Sequence, residues 1–173
     1  MPVSLRSPRL RLLGHVGPLP VYLVDGELVR NDIDIDFTCG GNEAVYPNYV
    51  PKGEIWIDDA LTPLDRTATA LHEIVERELM MQKNWSYDRA HDAASARERV
   101  FRKELVRDPP RSIDLRRVAI ALHAPAPKLT RPHAREAPRV LAVGERRAQA
   151  KRTRQIAVDL ERAGFRSKVR RAI

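Results

Sequence analysis

The chain has 173 residues, room for one domain and an appendage, and its 43% hydrophobic and 31% charged residues are the mixture of a soluble globular protein. No apolar run approaches the roughly 18 residues that a membrane span needs, and a single cysteine excludes an internal disulfide or a thiolate metal cage. The net charge of +8 is unevenly spread: residues 1–108 carry 14 Lys/Arg against 18 Asp/Glu, net −4, while residues 109–173 carry 17 against 5, net +12.

The first residues, MPVSLRSPRLRLLGHVG, have arginines scattered through them and no continuous apolar stretch. They do not read as a secretory signal, so a cytoplasmic home is expected, or a virion-associated one for a chain of phage origin. Pro8 to Leu13 and Val21 to Val24 are short apolar runs, and the Asp25-Gly26 pair before Leu28-Val29 is a hairpin signal. Asp32 to Phe37 alternates acid with hydrophobe, which predicts a strand with Ile33, Ile35 and Phe37 toward the core. Asp32, Asp34 and Asp36 would share its other face; they lack the spacing and closing Glu of a calcium loop and read as solvated. Cys39 sits in a turn, as a small residue or as a reactive thiol. Gly40-Gly41-Asn42 reads as a chain break, and Glu54 to Asp58 as a short strand.

Thr62-Pro63-Leu64-Asp65 is a helix start, with Thr as N-cap, Pro in the first turn and an acid at the third position. Leu64, Ala68, Leu71, Val75 and Leu79 carry the helical period on to about Gln82, and Ser86 can cap a second helix running to about Leu105. So short a connection makes the two helices antiparallel neighbours. Pro109, Pro110, Pro125, Pro127, Pro132 and Pro138 then break up a linker with space for one short helix between Ser112 and His123. Val140 to Ala163 is again helix-prone, with Gly164 as a C-cap. The resulting fold class is α+β: a small, mostly antiparallel sheet, an antiparallel helical hairpin, a Pro-rich linker and a basic C-terminal helix. Its parts are a core over 1–108, a linker over 109–139 and a tail over 140–173.

Chemistry concentrates on the hairpin. His72 and Glu76 are four apart, so they share a helix face and can reach one ion, with Glu73 one step round. On the second helix His91 and Glu98 are seven apart and share the face of Ala94, Phe101 and Leu105. At ~1.5 Å of rise per residue, Glu76 lies about 9 Å and His91 about 7.5 Å from the turn, so the two are nearly level. Helices packed at about 8–10 Å could point all four side chains at one centre. Buried imidazole and carboxylate groups need pairing or a metal, so two readings stand: a metal site, or a polar network of Glu76 and Glu98 with His91, Arg77 or Arg89. Glu78, Asp88 and Asp92 read as solvated, and Trp56 and Trp85 as packing residues. His15, His123 and His133 receive no role.

The run Leu71-His72-Glu73-Ile74-Val75-Glu76 resembles the active helix of zincin-like metallopeptidases, His-Glu-x-x-His, with Glu76 in place of the second histidine. The hairpin is also similar to those of phage and bacterial proteins with His-Glu-x-x-Glu-Arg-x-Leu-Met followed by Tyr-x-x-Ala-His. The zincin resemblance covers about a third of the chain, from the strand at Glu54 to Asp58 through the helix of His91. It implies His72 as a zinc ligand, Glu73 as the general base acting on water and His91 as a downstream ligand; a carboxylate such as Glu76 can also ligate zinc. Tyr87, one turn before His91, is a candidate oxyanion stabiliser. The expected ligand set is therefore His72, Glu76, His91 and Glu98 around zinc.

The tail reads either as a solvated arm with no specific partner or as the source of a different function. Arg146, Arg147, Lys151, Arg152, Arg154, Arg166, Lys168, Arg170 and Arg171 would attract nucleic acid or an acidic protein surface, with phosphates and not bases contacted. Two functional classes follow: a zinc-dependent, peptidase-like hydrolase with a basic arm, or a non-catalytic phage or mobile-element protein, structural or associated with nucleic acid, whose His/Glu cluster is a polar scaffold.

Overall fold

A computed structural model describes residues 7–127. In chain order these form strands β1 (Arg9–Val16) and β2 (Leu19–Val24), helix α1 (Gly26–Asp32), strands β3 (Gly40–Asn42) and β4 (Ile55–Asp58), and helices α2 (Pro63–Lys83), α3 (Tyr87–Arg107) and α4 (Leu115–Leu122). The fold is α+β. The sheet has the order β1-β2-β4-β3, with β1–β2 and β3–β4 antiparallel and β2–β4 parallel.

β4 is an interior strand and all four of its residues are buried. Ile55 and Ile57 join Val21, Leu71, Ile74, Phe101 and Leu105 in the core beneath the helices. Trp56 points the other way, into a second cluster with Val24, Val29, Phe37 and Val50. Trp56 is thus a packing residue, as expected, and its indole N–H donates to Glu54 at 2.9 Å. Full burial of each large aliphatic side chain contributes roughly 1.5–3 kcal/mol, which is what holds α2 on the sheet.

α2 begins as its cap residues predict: the Thr62 hydroxyl accepts from the Asp65 N–H, and the Asp65 carboxylate accepts from that hydroxyl. Every residue from Thr67 to Glu76 is buried, because the sheet, α3 and α4 all pack on this stretch. α2 ends at Asn84, in the left-handed conformation (φ 53°), and the next helix starts three residues on. Ser86 holds the N-cap position of α3, but its hydroxyl makes no capping bond. Ala90 and Ala94, both buried, face α2 together with Phe101 and Leu105.

Four expectations are corrected. Asp25-Gly26 is not a hairpin turn, because the Asp25 carboxylate caps α1 through the Leu28 N–H at 2.8 Å; the actual hairpin turns at Gly17-Pro18, with Gly17 at φ 56°. Asp32 to Phe37 is not a strand. α1 takes Asp32, the Asp34 carboxylate turns the chain by accepting from the Asp36 N–H, and Ile33 and Ile35 are 37% and 80% exposed, leaving Phe37 alone in the core. Gly40-Gly41-Asn42 is not a break but strand β3. Finally, the folded unit runs past Asp108: α4, capped by Asp114, packs on α2 and β1, buries Val118 and is tied to α2 by the Asp114 N–H on the Thr67 hydroxyl at 3.0 Å. The basic segment from Val140 onward, with all nine tail cations named above, lies outside the described residues. Among the described residues, no helix is long and apolar enough to cross a membrane.

Candidate metal centre

α2 and α3 bring His72, Glu76 and His91 together within 4.8 Å, as the level heights of Glu76 and His91 in the hairpin predict. His72 Nε2 lies 3.3 Å from His91 Nδ1 and 3.6 Å from Glu76 Oε1, and His91 Nδ1 lies 2.9 Å from the same oxygen. Ligand bonds of about 2.0–2.2 Å to a tetrahedral ion put neighbouring donors about 3.3–3.6 Å apart. Two of the three observed separations, 3.3 and 3.6 Å, match that edge length, and the third, 2.9 Å between His91 and Glu76, is shorter and is a hydrogen-bond distance, so two imidazole nitrogens and one carboxylate oxygen stand close to one face of a tetrahedron. The donor set and its spacing fit zinc; they also fit other divalent ions that accept nitrogen and oxygen.

Glu98 stands elsewhere than expected. Its Oε2 lies 2.9 Å from Nδ1 of His72, the nitrogen opposite the one turned to Glu76 and His91, and its Oε1 accepts from Arg102 at 2.7 Å. Arg102 in turn donates to Asp65 at 2.6 Å. Glu98 is therefore outside the group of three and orients a member of it, the usual task of a carboxylate behind a ligating histidine.

Glu73 is buried on the same wall. Asn42, fully buried at the end of β3, donates from its amide to Glu73 Oε2 at 2.8 Å and to Glu76 Oε2 at 3.2 Å. β3 comes this close because Gly40 has no side chain: a Cβ there would stand 2.8 Å from Thr69 Cγ2, 2.9 Å from the Trp56 carbonyl and 3.2 Å from Glu73 Cγ. Next to Asn42, Glu43 receives Arg77 in a two-pronged contact at 2.6–2.9 Å, which clamps the strand end to α2. Arg77 is thus committed to Glu43 and not to the His/Glu cluster, and Arg89 lies over the Trp85 ring at 3.7 Å.

The electrostatics divide the carboxylates. Burial and the charge of Glu76 push Glu73 up to about 7, despite His72 and the Asn42 amide. Burial acts on Glu76 in the same direction, but the nearby His72 imidazole and the hydrogen bond with His91, with the positive charge of both rings, prevail and hold it at about 2. Burial disfavours the charged form of His72, yet Glu76 and Glu98 at its two nitrogens, with Glu73 nearby, raise it to about 10. The two buried carboxyls thus differ in charge near neutrality, Glu76 being held ionised while Glu73 is poised to exchange a proton.

A cleft of about 220 Å³ opens over these groups, lined by His72, Glu73, Glu76 and His91, with Cys39, Tyr46 and Tyr87 among its walls. Tyr87 is partly exposed and stacks on His91 with ring centroids 5.4 Å apart. Cys39 is exposed at the rim, with a positive φ of 60° and a thiol that burial pushes up, against reactivity. Asp88 and Asp92 are exposed, Glu78 is half-buried, and His15 and His123 are exposed and distant in the chain from these elements. Sequence reasoning missed Asn42, Gly40 and Arg102. The adjacent glycines were a signal for the first two, since Gly-Gly within a short segment marks close backbone approach. Compared with protein-family models, curated proteins and solved structures, the chain matches none.

Proposed function

We propose that the core is a metal-dependent hydrolase of zincin-like character, with zinc held by His72, Glu76 and His91. The observation that carries this reading is the spacing of the three donor atoms, 2.9–3.6 Å, beside a buried carboxyl in the same cleft. Zinc bound there would supply Lewis acidity, acidifying water and polarising a carbonyl. Glu73 takes the proton of the attacking water on Oε1, the oxygen that Asn42 leaves free, and returns it to the departing amine. Its position near neutrality suits both halves of that task. Glu98 holds His72 by Nδ1 so that Nε2 faces the cleft, and Arg102 and Asp65 hold Glu98. Tyr87, whose phenol burial pushes up and so keeps protonated, can donate to a developing oxyanion from the wall of the cleft. The substrate class that goes with this chemistry is an amide such as a peptide bond. The tail, by its charge, is an arm for nucleic acid or an acidic protein surface.

The rival reading, a polar scaffold in a structural or nucleic-acid-associated protein, is favoured by one observation: contacts of 2.9 Å between His91 and Glu76 and between His72 and Glu98 also serve as ordinary charge-assisted hydrogen bonds. Metal analysis of freshly purified protein separates the two. About one zinc per chain is expected, lost in the His72→Ala/His91→Ala variant; wild-type protein that neither contains nor takes up a divalent ion sinks the hydrolase reading. Iron in place of zinc would redirect the proposal from hydrolysis to oxygen chemistry, which uses the same two-His, one-carboxylate donor set.

A further inference from the structure

Asn42 uses all of its polar capacity at the junction of β3 and α2. Its Oδ1 accepts from the Ala44 N–H at 3.0 Å and the Val45 N–H at 3.3 Å. Two backbone donors on that atom fix which end of the amide is oxygen, so the NH2 group faces α2. There it donates to Oε2 of Glu73 and Oε2 of Glu76, with the Glu73 carbonyl further off at 3.4 Å. We propose that Asn42 is a positioning residue that makes Glu76 a one-oxygen ligand and keeps Glu73 beside it, by giving one N–H to each carboxylate. This rests on the metal reading of the site.

Two buried carboxylates on one helix face repel each other, and each could also swing both oxygens onto a cation. A lysine or arginine at position 42 would bridge them, but would set a positive charge against the ion they are to hold. A neutral amide with two N–H groups bridges them without that penalty. By occupying Oε2 of Glu76 it leaves Oε1 for the centre, and Oε1 is the oxygen at 2.9 Å from His91 and 3.6 Å from His72. By occupying Oε2 of Glu73 it leaves Oε1 of that residue without a bond to the strand. Coordination number is then set from β3, an element that contributes no ligand. An open coordination position is what a catalytic site must preserve, and a chelating Glu76 would fill it.

The test loads full-length wild type and two variants with cobalt(II), measuring affinity and the ligand-field absorption, which is strong for four-coordinate and weak for five-coordinate cobalt. Asn42→Asp keeps the size and the Oδ1 acceptor and loses both donors. Asn42→Asp with Glu73→Gln restores a donor–acceptor pair between 42 and 73, so that the fold is retained, and leaves only Oε2 of Glu76 without its N–H. Thermal melts identify the variant that folds as wild type. The expected result is cobalt bound about 10–100-fold more weakly in the variants, the effect of losing a partner behind a ligand, with absorption falling toward the five-coordinate pattern. Folded variants with wild-type affinity and spectrum overturn the role of Asn42 while the metal reading stands. A wild type that binds no cobalt overturns both.

Discussion

If the centre holds a divalent cation, protons and that cation compete for the same imidazole nitrogens. With Glu76 and Glu98 raising His72 to about 10, its Nε2 is protonated at neutral pH and must give up that proton to ligate. Because the folded pKa lies above the working range, each unit of pH below it costs about a factor of ten in the fraction of His72 ready to bind. Zinc affinity is therefore expected to rise about tenfold per unit between pH 6 and 8, with roughly one proton released per ion from this residue. Calorimetric titration in two buffers of different ionisation enthalpy reads both quantities. An affinity independent of pH over that interval would mean that His72 is not a ligand. Glu98→Gln removes one of the three carboxylate charges that raise His72, so a shallower slope is expected in that variant. His72, Glu76 and His91 were legible in the sequence because helical spacing alone fixes which residues share a face. Glu98 was placed on the right face but not at the right atom, since spacing does not say which imidazole nitrogen a neighbour meets.

Element by element, the site depends on how near β3 can come to α2. A methyl group on Gly40 would meet the Trp56 carbonyl and Thr69 at under 3 Å, and backbone cannot swing aside as a flexible side-chain end can. Gly40→Ala is expected to cost about 1–3 kcal/mol, the range for overpacking a close-packed site, seen as a lower Tm. It should also loosen zinc, because the shift carries Asn42 away from both carboxylates. A variant with unchanged Tm and affinity would show that β3 stands off from the helix. The helices and β4 were readable because capping residues, apolar period and β-branched runs are local signals. α1 and β3 were not. Asp25-Gly26 serves a helix cap as well as a hairpin, and only the Asp58 carboxylate, packed where a Cβ on Gly26 would go, and the tertiary seat of the helix decide between them. A three-residue strand of Gly-Gly-Asn has no periodicity to read at all, and pairing with β4 is what makes it a strand.

Over the whole chain the opposition of charge is the dominant feature: net −4 up to Asp108 and net +12 beyond it. Deleting residues 140–173 is expected to abolish binding to a DNA duplex and to leave the Tm of the core unchanged. For the intact chain, log K against log salt should fall with a steep slope, the mark of counterion release. Salt-sensitive binding that survives the deletion would locate the contact on the core. The end of the folded unit was misjudged from sequence, because Pro109-Pro110 reads as a linker while Val118 and Asp114 anchor the helix beyond it to α2. One further consequence concerns Asn84-Trp85-Ser86, the connection between α2 and α3. Exposed polar loops usually tolerate insertions, yet an extra residue carried into the start of α3 turns everything after it by about 100°. The helix could still dock on some other stripe, but His91 would be dialled round toward solvent, so the length of this surface corner does as much to gather His72, Glu76 and His91 as any side chain in the cleft.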